Sequence, residues 1–280
     1  MSDLRIEGLR VAYGSRRHPV EVLHGIDLHV GQGETLGLVG ESGSGKTTVG
    51  RAVLGLAPVT GGRITFDGEE ITHVSRRRRR ALARHLQVVF QDPYSSLNSA
   101  FTIADILSEP LIAQGVPAKE AHSRVTTLLD RVRLPKSASQ RYPREFSGGQ
   151  RQRIAIARAL ALSPKLVICD EPVSALDLST QGTVLELLTE IQDTTGVSYL
   201  FISHDLAVVR RMSHRVAVLY RGDVVEEGAA GTVTSDPEHP YTRRLLAANL
   251  VADPDEQAER RKARLALKAA TGSEGSEAVA

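Results

Sequence analysis

Gly40-Glu41-Ser42-Gly43-Ser44-Gly45-Lys46-Thr47 decides the fold of this chain, because of what stands on either side of it. Before it runs Thr35-Leu36-Gly37-Leu38-Val39, a short apolar stretch that reads as a buried strand. After it runs Thr48-Val49-Gly50-Arg51-Ala52-Val53-Leu54, which reads as a helix. The eight residues fit G-x-x-x-x-G-K-[ST], and chemistry explains the spacing. Glycines let successive backbone N–H groups curl around a phosphate without Cβ clashes, and the following helix adds its positive N-terminal end. Lys46 can reach the outer phosphates, and the Thr47 hydroxyl is placed to ligate Mg²⁺. A plain glycine turn is the bland alternative. The strand–loop–helix context favours a nucleotide-binding loop built from Gly40, Ser42, Gly43, Ser44, Gly45, Lys46, Thr47 and Thr48.

Working outward, Ile26, Leu28 and Val30 alternate with Asp27 and His29, the period of a half-buried strand, and Gly31-Gln32-Gly33 supplies a turn. Gly61-Gly62 and Asp67-Gly68 flank Arg63-Ile64-Thr65-Phe66, a hairpin signal, and Leu86 to Phe90 is another compact apolar strand. The middle third changes period. Ala121, Val125, Leu128, Leu129 and Val132 lie on one face of a helix, with Pro135, Pro143 and Pro164 marking boundaries. Strands return at Leu166-Val167-Ile168-Cys169, Val197 to Ile202 and Val216 to Tyr220, with an amphipathic helix through Val184, Leu187, Leu188 and Ile191. Uninterrupted apolar strands alternating with helices indicate an α/β chain whose mainly parallel sheet is covered on both faces, the helical middle being inserted into it. Asp253-Pro254 can open a further helix through Arg260 and Leu267, and the last ten or so residues are expected to be disordered.

Composition narrows the function. The 280 residues carry 35 Lys and Arg against 33 Asp and Glu, a net charge of only +2, without the basic excess of a dedicated nucleic-acid binder. A single cysteine forms no internal disulfide. Met1-Ser2-Asp3-Leu4-Arg5 has early charge and no apolar signal core, and no apolar stretch approaches the ~18 residues that span a bilayer. The expectation is an ordinary cytoplasmic globular chain.

Asp170 and Glu171 end the Leu166–Cys169 strand, and the carboxyl ends of parallel strands are where such sheets place their ligands. Asp170 suits an indirect Mg²⁺ contact. Pro172 is expected to push Glu171 into extended geometry and aim its carboxylate at the same crevice, where it can act as general base on a water. Alone, the pair would read as two solvated acids. Cys169, inside the strand, reads as a small buried hydrophobe.

With Ser147-Gly148-Gly149-Gln150 added, the constellation resembles the ATP-binding subunits of ABC transporters, roughly over residues 4 to 246. Ser147 and its glycines open a helix through Ile154, Ala157 and Ala161, a second place fit for an anion or simply a Ser cap. The resemblance implies that this segment completes the ATP site of a partner ATP-binding subunit, identical or homologous, in a head-to-tail dimer. It further implies that Tyr13 stacks on adenine, that Gln91 contacts Mg²⁺ or the attacking water, and that the loop Ser174-Ala175-Leu176-Asp177 crosses the dimer interface. His204 would hold the γ-phosphate. Each has a plainer alternative: a strand core residue, a solvated side chain, a turn, a strand-end histidine.

The implied fold is α/β, a P-loop NTPase core with a mainly parallel sheet, an antiparallel β subdomain and an inserted helical subdomain. Residues 1–91 and 164–235 would form the ATP-binding core, 92–163 the helical signature subdomain and 236–280 a C-terminal extension. Phe90-Gln91-Asp92-Pro93-Tyr94-Ser95-Ser96-Leu97-Asn98, Tyr142-Pro143-Arg144-Glu145-Phe146 and His239-Pro240-Tyr241-Thr242 are similar to the oligopeptide/dipeptide importer branch, more to its second ATPase subunit. Ser99-Ala100 stands where a proline is usual. The cysteine-containing segment that often follows His-Pro-Tyr-Thr is absent, so no iron–sulfur cluster is expected.

The resemblance thus implies an ATPase, using ATP and Mg²⁺, that energises import of peptides or related solutes. It would sit peripherally on the cytoplasmic membrane face, with transmembrane permease subunits and, indirectly, a substrate-binding protein as partners and no nucleic acid. The alternative is an ATPase of this type acting on nucleic acid or ribosomes. Arg76 to Arg80 reads as a solvated helix face, and the nine histidines show no zinc-type spacing.

Overall fold

The computed structural model describes residues 3–15 and 18–248; the helix expected from Asp253 and the expected disordered end lie outside these residues. The chain begins with two long strands, β1 (Leu4–Ser15) and β2 (His18–Val30), followed by β3 (Thr35–Val39) and the helix α1 (Lys46–Val53). Then come β4 (Val59–Phe66), β5 (Glu69–Glu70), α2 (Arg76–Leu82) and β6 (Leu86–Val89). A helical stretch follows: α3 (Pro93–Ser96), α4 (Ile103–Ala113), α5 (Ala118–Arg131), two short 3₁₀ turns and α6 (Gly148–Leu160). The chain closes through β7 (Leu166–Asp170), α7 (Leu178–Thr195), β8 (Ser198–Ile202), α8 (Leu206–Met212), β9 (Arg215–Tyr220), β10 (Asp223–Ala229), α9 (Ala230–Ser235) and α10 (Pro240–Ala248).

Two sheets result. The antiparallel one has the order β2-β1-β4-β5, and the larger one the order β10-β9-β3-β8-β7-β6. In the larger sheet β6, β7, β8, β3 and β9 run parallel, and only the edge strand β10 is antiparallel. The helices between β6 and β7 join two neighbouring parallel strands, so they form an insertion as expected.

Strand periodicity sorts the core. Leu36, Leu38, Leu166, Ile168, Leu200 and Ile202 face α1 and the antiparallel sheet, in one buried cluster. Their alternates Val39, Val167, Cys169, Tyr199 and Phe201 face the inserted helices with α7 and α8. Both faces being covered, β3 and β8 are buried at every position, which is why they read as apolar runs after a polar first residue. Each buried Val, Leu or Ile contributes about 1.5–3 kcal/mol of transfer free energy.

The N-terminal strands extend well beyond the alternation that announced them. Register shifts between Ile6 and Leu9 and between Val11 and Ala12 break the two-residue period, so only the Ile26–Val30 end of β2 kept a clean pattern.

The arginine run is divided in its duties. Ser75 caps α2 by accepting from Arg78 N, and Arg78 pairs with Glu69. The Arg79 guanidinium donates to Val53 O at 3.0 Å and to Ile71 O at 2.7 Å, and Arg80 reaches Ala113 O at 2.9 Å. Arg76 and Arg77 are exposed. The solvated-face reading therefore fits the first two residues, while the last three fasten α2 to its neighbours.

Candidate nucleotide site

Parallel register brings the candidate residues to one level. Val89 pairs with Cys169, Cys169 with Phe201 and Leu38 with Ile202, so the carboxyl ends of β6, β7, β8 and β3 lie side by side. The residues just beyond those ends are Gln91, Asp170 with Glu171, His204 and the loop from Gly40. Of these, Gln91, Glu171, His204 and the loop line one cleft of about 700 Å³ together with Tyr13, Val22 and Leu245, while Asp170 ends β7 behind that lining.

The loop is shaped before any phosphate arrives. At Gly40, φ is +155° and an added Cβ would lie 2.1 Å from Leu219 O, so no other residue fits. Lys46 is 5% exposed and its Nζ donates to Gly40 O and Glu41 O, both at 2.8 Å. Burial lowers the Lys46 pKa, while the charges of Glu171, Asp170 and Glu41 oppose that shift. Ser44 Oγ is buried in the same loop without a hydrogen-bond partner among the described residues.

Thr47 Oγ1 donates to Asp170 Oδ1 at 2.9 Å, which sets a hydroxyl and a carboxylate together at the loop's exit. Burial raises the Asp170 pKa, against the Thr47 hydrogen bond and the charges of Arg51 and Lys46. Among the described residues no three His, Cys, Asp or Glu side chains form a metal cage. Hydroxyl and carboxylate oxygens without such a cage suit Mg²⁺, which takes one or two protein oxygens and completes its shell with phosphates and water.

Glu171 departs from the sequence expectation. Its φ is +49°, in the left-handed region, not extended as Pro172 had implied. Its N–H donates to Ile202 O at 2.9 Å, and its carbonyl accepts from Ser174 Oγ at 3.1 Å. The bond to β8 and the local turn closed by Ser174 together outweigh a cost of roughly 1–3 kcal/mol. The turn nevertheless delivers the carboxylate to the cleft. Gln91 Nε2 donates to Glu171 Oε2 at 3.0 Å, and His204 Nδ1 lies 3.2 Å from the same oxygen. His204 stands just before Asp205, whose carboxylate caps α8 by accepting from Ala207 N at 2.8 Å. The bend between β8 and α8 is thus fixed, and the imidazole is left exposed.

Ser147, Gly148, Gly149, Gln150 and Asp177 are not brought into this cleft. Ser147 caps α6 in a reciprocal capping box with Gln150: Gln150 N donates to Ser147 Oγ at 3.3 Å, and Gln150 Oε1 accepts from Ser147 N at 3.0 Å. Asp177 caps α7, accepting from Thr180 N at 3.0 Å and from the Ser179 and Thr180 hydroxyls at 2.6 and 2.7 Å. Hydrogen bonds from Ser179 and Thr180 hold its carboxyl well below the usual range. The two segments are neighbours: an added Cβ at Gly148 would lie 3.5 Å from Leu176. They make a second surface, apart from the first.

Sequence reasoning missed Val22, Glu41 and Leu245 as cleft residues. Leu245 had a signal, standing four residues after Tyr241 on a helix that Pro240 opens, and so on the same face. Cys169 is fully buried, and desolvation pushes its thiol pKa far up, as suits an inert core residue.

A family model described as "ABC transporter" matches residues 23–174. The glutathione import ATP-binding protein GsiA of Shigella boydii serotype 4 (strain Sb227) is 53% identical over 243 residues, 86% of this chain and 39% of that protein. Its counterpart from Escherichia coli O157:H7 is 54% identical over the same share. This chain therefore spans about two-fifths of the length of those relatives. Among solved structures, a dimeric post-hydrolysis state of the ATP-binding cassette MJ0796 bound to ADP and Pi superposes with a TM-score of 0.73. That match has 26% identity and covers 81% of this chain and 98% of that one. CbiO1 from Clostridium perfringens, part of the ABC transporter complex cbiONQ, gives a TM-score of 0.75 at 28% identity, covering 86% and 94%.

Proposed function

The chain belongs to the ABC transporter family, and from that premise we propose that it is an ATP-binding and ATP-hydrolysing subunit energising import of peptides or peptide-like solutes such as glutathione. The observation that carries this reading is the convergence of Gln91, His204 and Glu171 beside Lys46 in one cleft.

On ATP entry, Lys46 leaves the Gly40 and Glu41 carbonyls for the outer phosphates, the loop amides of Gly43 to Thr48 wrap them, and Tyr13 stacks on the adenine. Thr47 and Asp170, with Gln91, would hold Mg²⁺, which supplies positive charge against the phosphates. Glu171 orients the attacking water and takes its proton at Oε2. Gln91 and His204 fix that oxygen, and His204 also stabilises charge gathering on the γ-phosphate. Such a site works through positioning and electrostatics more than covalent chemistry.

The second surface, Ser147 to Gln150 with Asp177, faces the nucleotide of a partner ATP-binding subunit in a head-to-tail dimer. The core comprises 1–91 and 164–235, the helical signature part is 92–163, and the C-terminal extension from 236 is described as far as 248. Gln91 carries motion to transmembrane permease subunits supplied by a substrate-binding protein. No helix among the described residues is long and apolar enough to cross a membrane. On this reading the chain docks on the cytoplasmic face through the permease subunits. The relatives named above are import proteins, which leaves an action on nucleic acid or ribosomes without support.

Glu171→Gln keeps the hydrogen-bonding shape and removes the base. It is expected to bind ATP with near wild-type affinity, to lose at least 10²-fold in hydrolysis and to accumulate as a closed dimer with ATP in size-exclusion chromatography. Near wild-type turnover in this variant would overturn the assignment of the base.

A further inference from the structure

The C-terminal segment reaches the phosphate loop directly. Tyr241, on α10, is 2% exposed, and its hydroxyl accepts a hydrogen bond from Glu41 N at 2.9 Å. That N–H belongs to the peptide joining Gly40 to Glu41. The carbonyl of the same peptide is Gly40 O, which accepts from Lys46 Nζ at 2.8 Å. In a trans peptide the two groups point in opposite directions. One peptide unit at the loop's entrance is therefore held from both sides, by the lysine on the cleft side and by the tyrosine from behind.

The tyrosine is itself held firmly. Its ring lies on that of Tyr220, with centroids 4.1 Å apart and planes 35° from parallel. Tyr220 ends β9, whose hairpin turn to β10 contributes Gly222 N as a donor to Ser44 O at 3.0 Å. The entry to α10 is fixed from β10, because the Glu226 carboxylate accepts from Glu238 N at 2.8 Å and His239 N at 3.1 Å. One turn beyond Tyr241, Leu245 reaches the cleft wall. Burial raises the Tyr241 pKa, so the loop amide meets a neutral phenol at physiological pH. None of these contacts is needed to build the parallel sheet, yet all of them converge on the back of the loop.

We propose that Tyr241 is a positioning residue for the phosphate loop: its hydroxyl fixes the Gly40–Glu41 peptide, and through it the C-terminal segment sets how tightly the cleft holds nucleotide. When Lys46 swings to the phosphates, the Gly40–Glu41 peptide loses its restraint on the cleft side, and the Tyr241 hydrogen bond still holds it from behind. Preorganisation of this kind acts on binding, because a loop that need not be ordered by the ligand leaves more of the interaction free energy to affinity. It acts on the chemical step far less, since Glu171 and its partners sit on other strands. The proposal rests on the nucleotide reading of the cleft.

The test compares the full chain with Tyr241→Phe, Glu226→Gln, their combination and Lys46→Ala. Each is titrated calorimetrically with ATP in Mg²⁺ buffer, assayed for hydrolysis and melted without nucleotide. Tyr241→Phe keeps the ring on Tyr220 and loses one hydrogen bond, so its Kd and KM for ATP should rise roughly three- to tenfold. Its kcat at saturating ATP should stay within twofold, and its melting temperature within about 2 °C. Glu226→Gln should weaken binding in the same direction, and the pair should be no worse than the stronger single variant, because both act through one contact. An unchanged Kd for Tyr241→Phe, with Lys46→Ala binding poorly, would overturn the positioning role alone. A Kd rise matched by a large fall in melting temperature would make Tyr241 merely structural and would overturn it too. Failure of the unaltered chain to bind ATP would overturn the nucleotide reading and this inference with it.

Discussion

Gly149→Ala puts a methyl group where the structure has no room for one. An added Cβ at Gly149 would stand 2.1 Å from Thr180 Cγ2. Carbon atoms in good contact are about 3.5–4.0 Å apart, so close to 1.5 Å must be found by movement. Rotation of Thr180 does not supply it cheaply. Its hydroxyl donates to Asp177 Oδ2 at 2.7 Å, and its N–H donates to Asp177 Oδ1 at 3.0 Å. Helix α6 is no freer, since Ile154, Ala155, Ile156 and Ala157 are essentially fully buried. Overpacking of this kind costs about 1–3 kcal/mol, while Ala in place of a helical Gly returns up to ~1 kcal/mol. The net expectation is destabilisation of about 1–2 kcal/mol, or roughly 2–8 °C in Tm at about 2–4 °C per kcal/mol.

The compensating change is Thr180→Ser, which keeps the hydroxyl on Asp177 and removes the offending methyl. Melting curves of the four chains close a double-mutant cycle, and the coupling between positions 149 and 180 should recover about 1 kcal/mol or more. Gly148 supplies the internal contrast, because its added Cβ would meet Leu176 at an ordinary 3.5 Å. Gly148→Ala should therefore melt with the unaltered chain. Any loss of hydrolysis in Gly148→Ala would then report on what faces the segment from outside the chain. A Gly149→Ala chain as stable as the original, or a Thr180→Ser change that restores nothing, would refute the steric account.

Two further outcomes follow from burial. Asp170 has its folded pKa raised by burial, so between the unfolded value near 3.8 and that higher value the folded chain binds the extra proton; stability rises as pH falls through this window and is lost as pH rises. Asp170→Asn should thus melt at or above the original at neutral pH, lose that share of the pH dependence and lose Mg²⁺-dependent hydrolysis; a clearly lower Tm at pH 7 would contradict the burial penalty. In α2, Arg79→Ala removes donors to two main-chain carbonyls and should cost about 1–3 kcal/mol, whereas Arg76→Ala and Arg77→Ala should stay within about 0.5 kcal/mol. Denaturant midpoints decide it, and equal losses at all three positions would sink the division of the arginine run.

How much of this was legible in the sequence depends on which force writes each part. Parallel strands covered on both faces must be apolar along most of their length, so the runs within 35–39, 166–170 and 198–202 announce themselves. The phosphate loop is legible for a similar reason: its conformation admits few residue types, as Gly40 against Leu219 O demonstrates. The antiparallel strands were half legible, because bulges reset which face each residue meets. Strand order, and the separation of Ser147 to Gln150 from the cleft, are settled by packing between distant segments, and no local pattern records them. Tyr241 was visible as part of a motif, but its use depends on an amide 200 positions away.

Glu171 marks the limit most sharply. Proline restricts its predecessor through a local clash, and that rule favoured extended geometry. The left-handed turn prevails because Glu171 N–H finds Ile202 O, and the carbonyl finds Ser174. An extended residue would have carried the chain straight on from β7. The reversal instead sets the carboxylate sideways, across the carboxyl ends of β6 and β8, where Gln91 and His204 reach one oxygen from either flank. Local rules fail here for the same physical reason that the site is of use: a strained residue persists only where surrounding contacts over-determine it, and those contacts fix the carboxylate's position. A reading from sequence can name Glu171 from its place after the strand. The side-on approach that lets three strands share one carboxylate belongs to the tertiary fold.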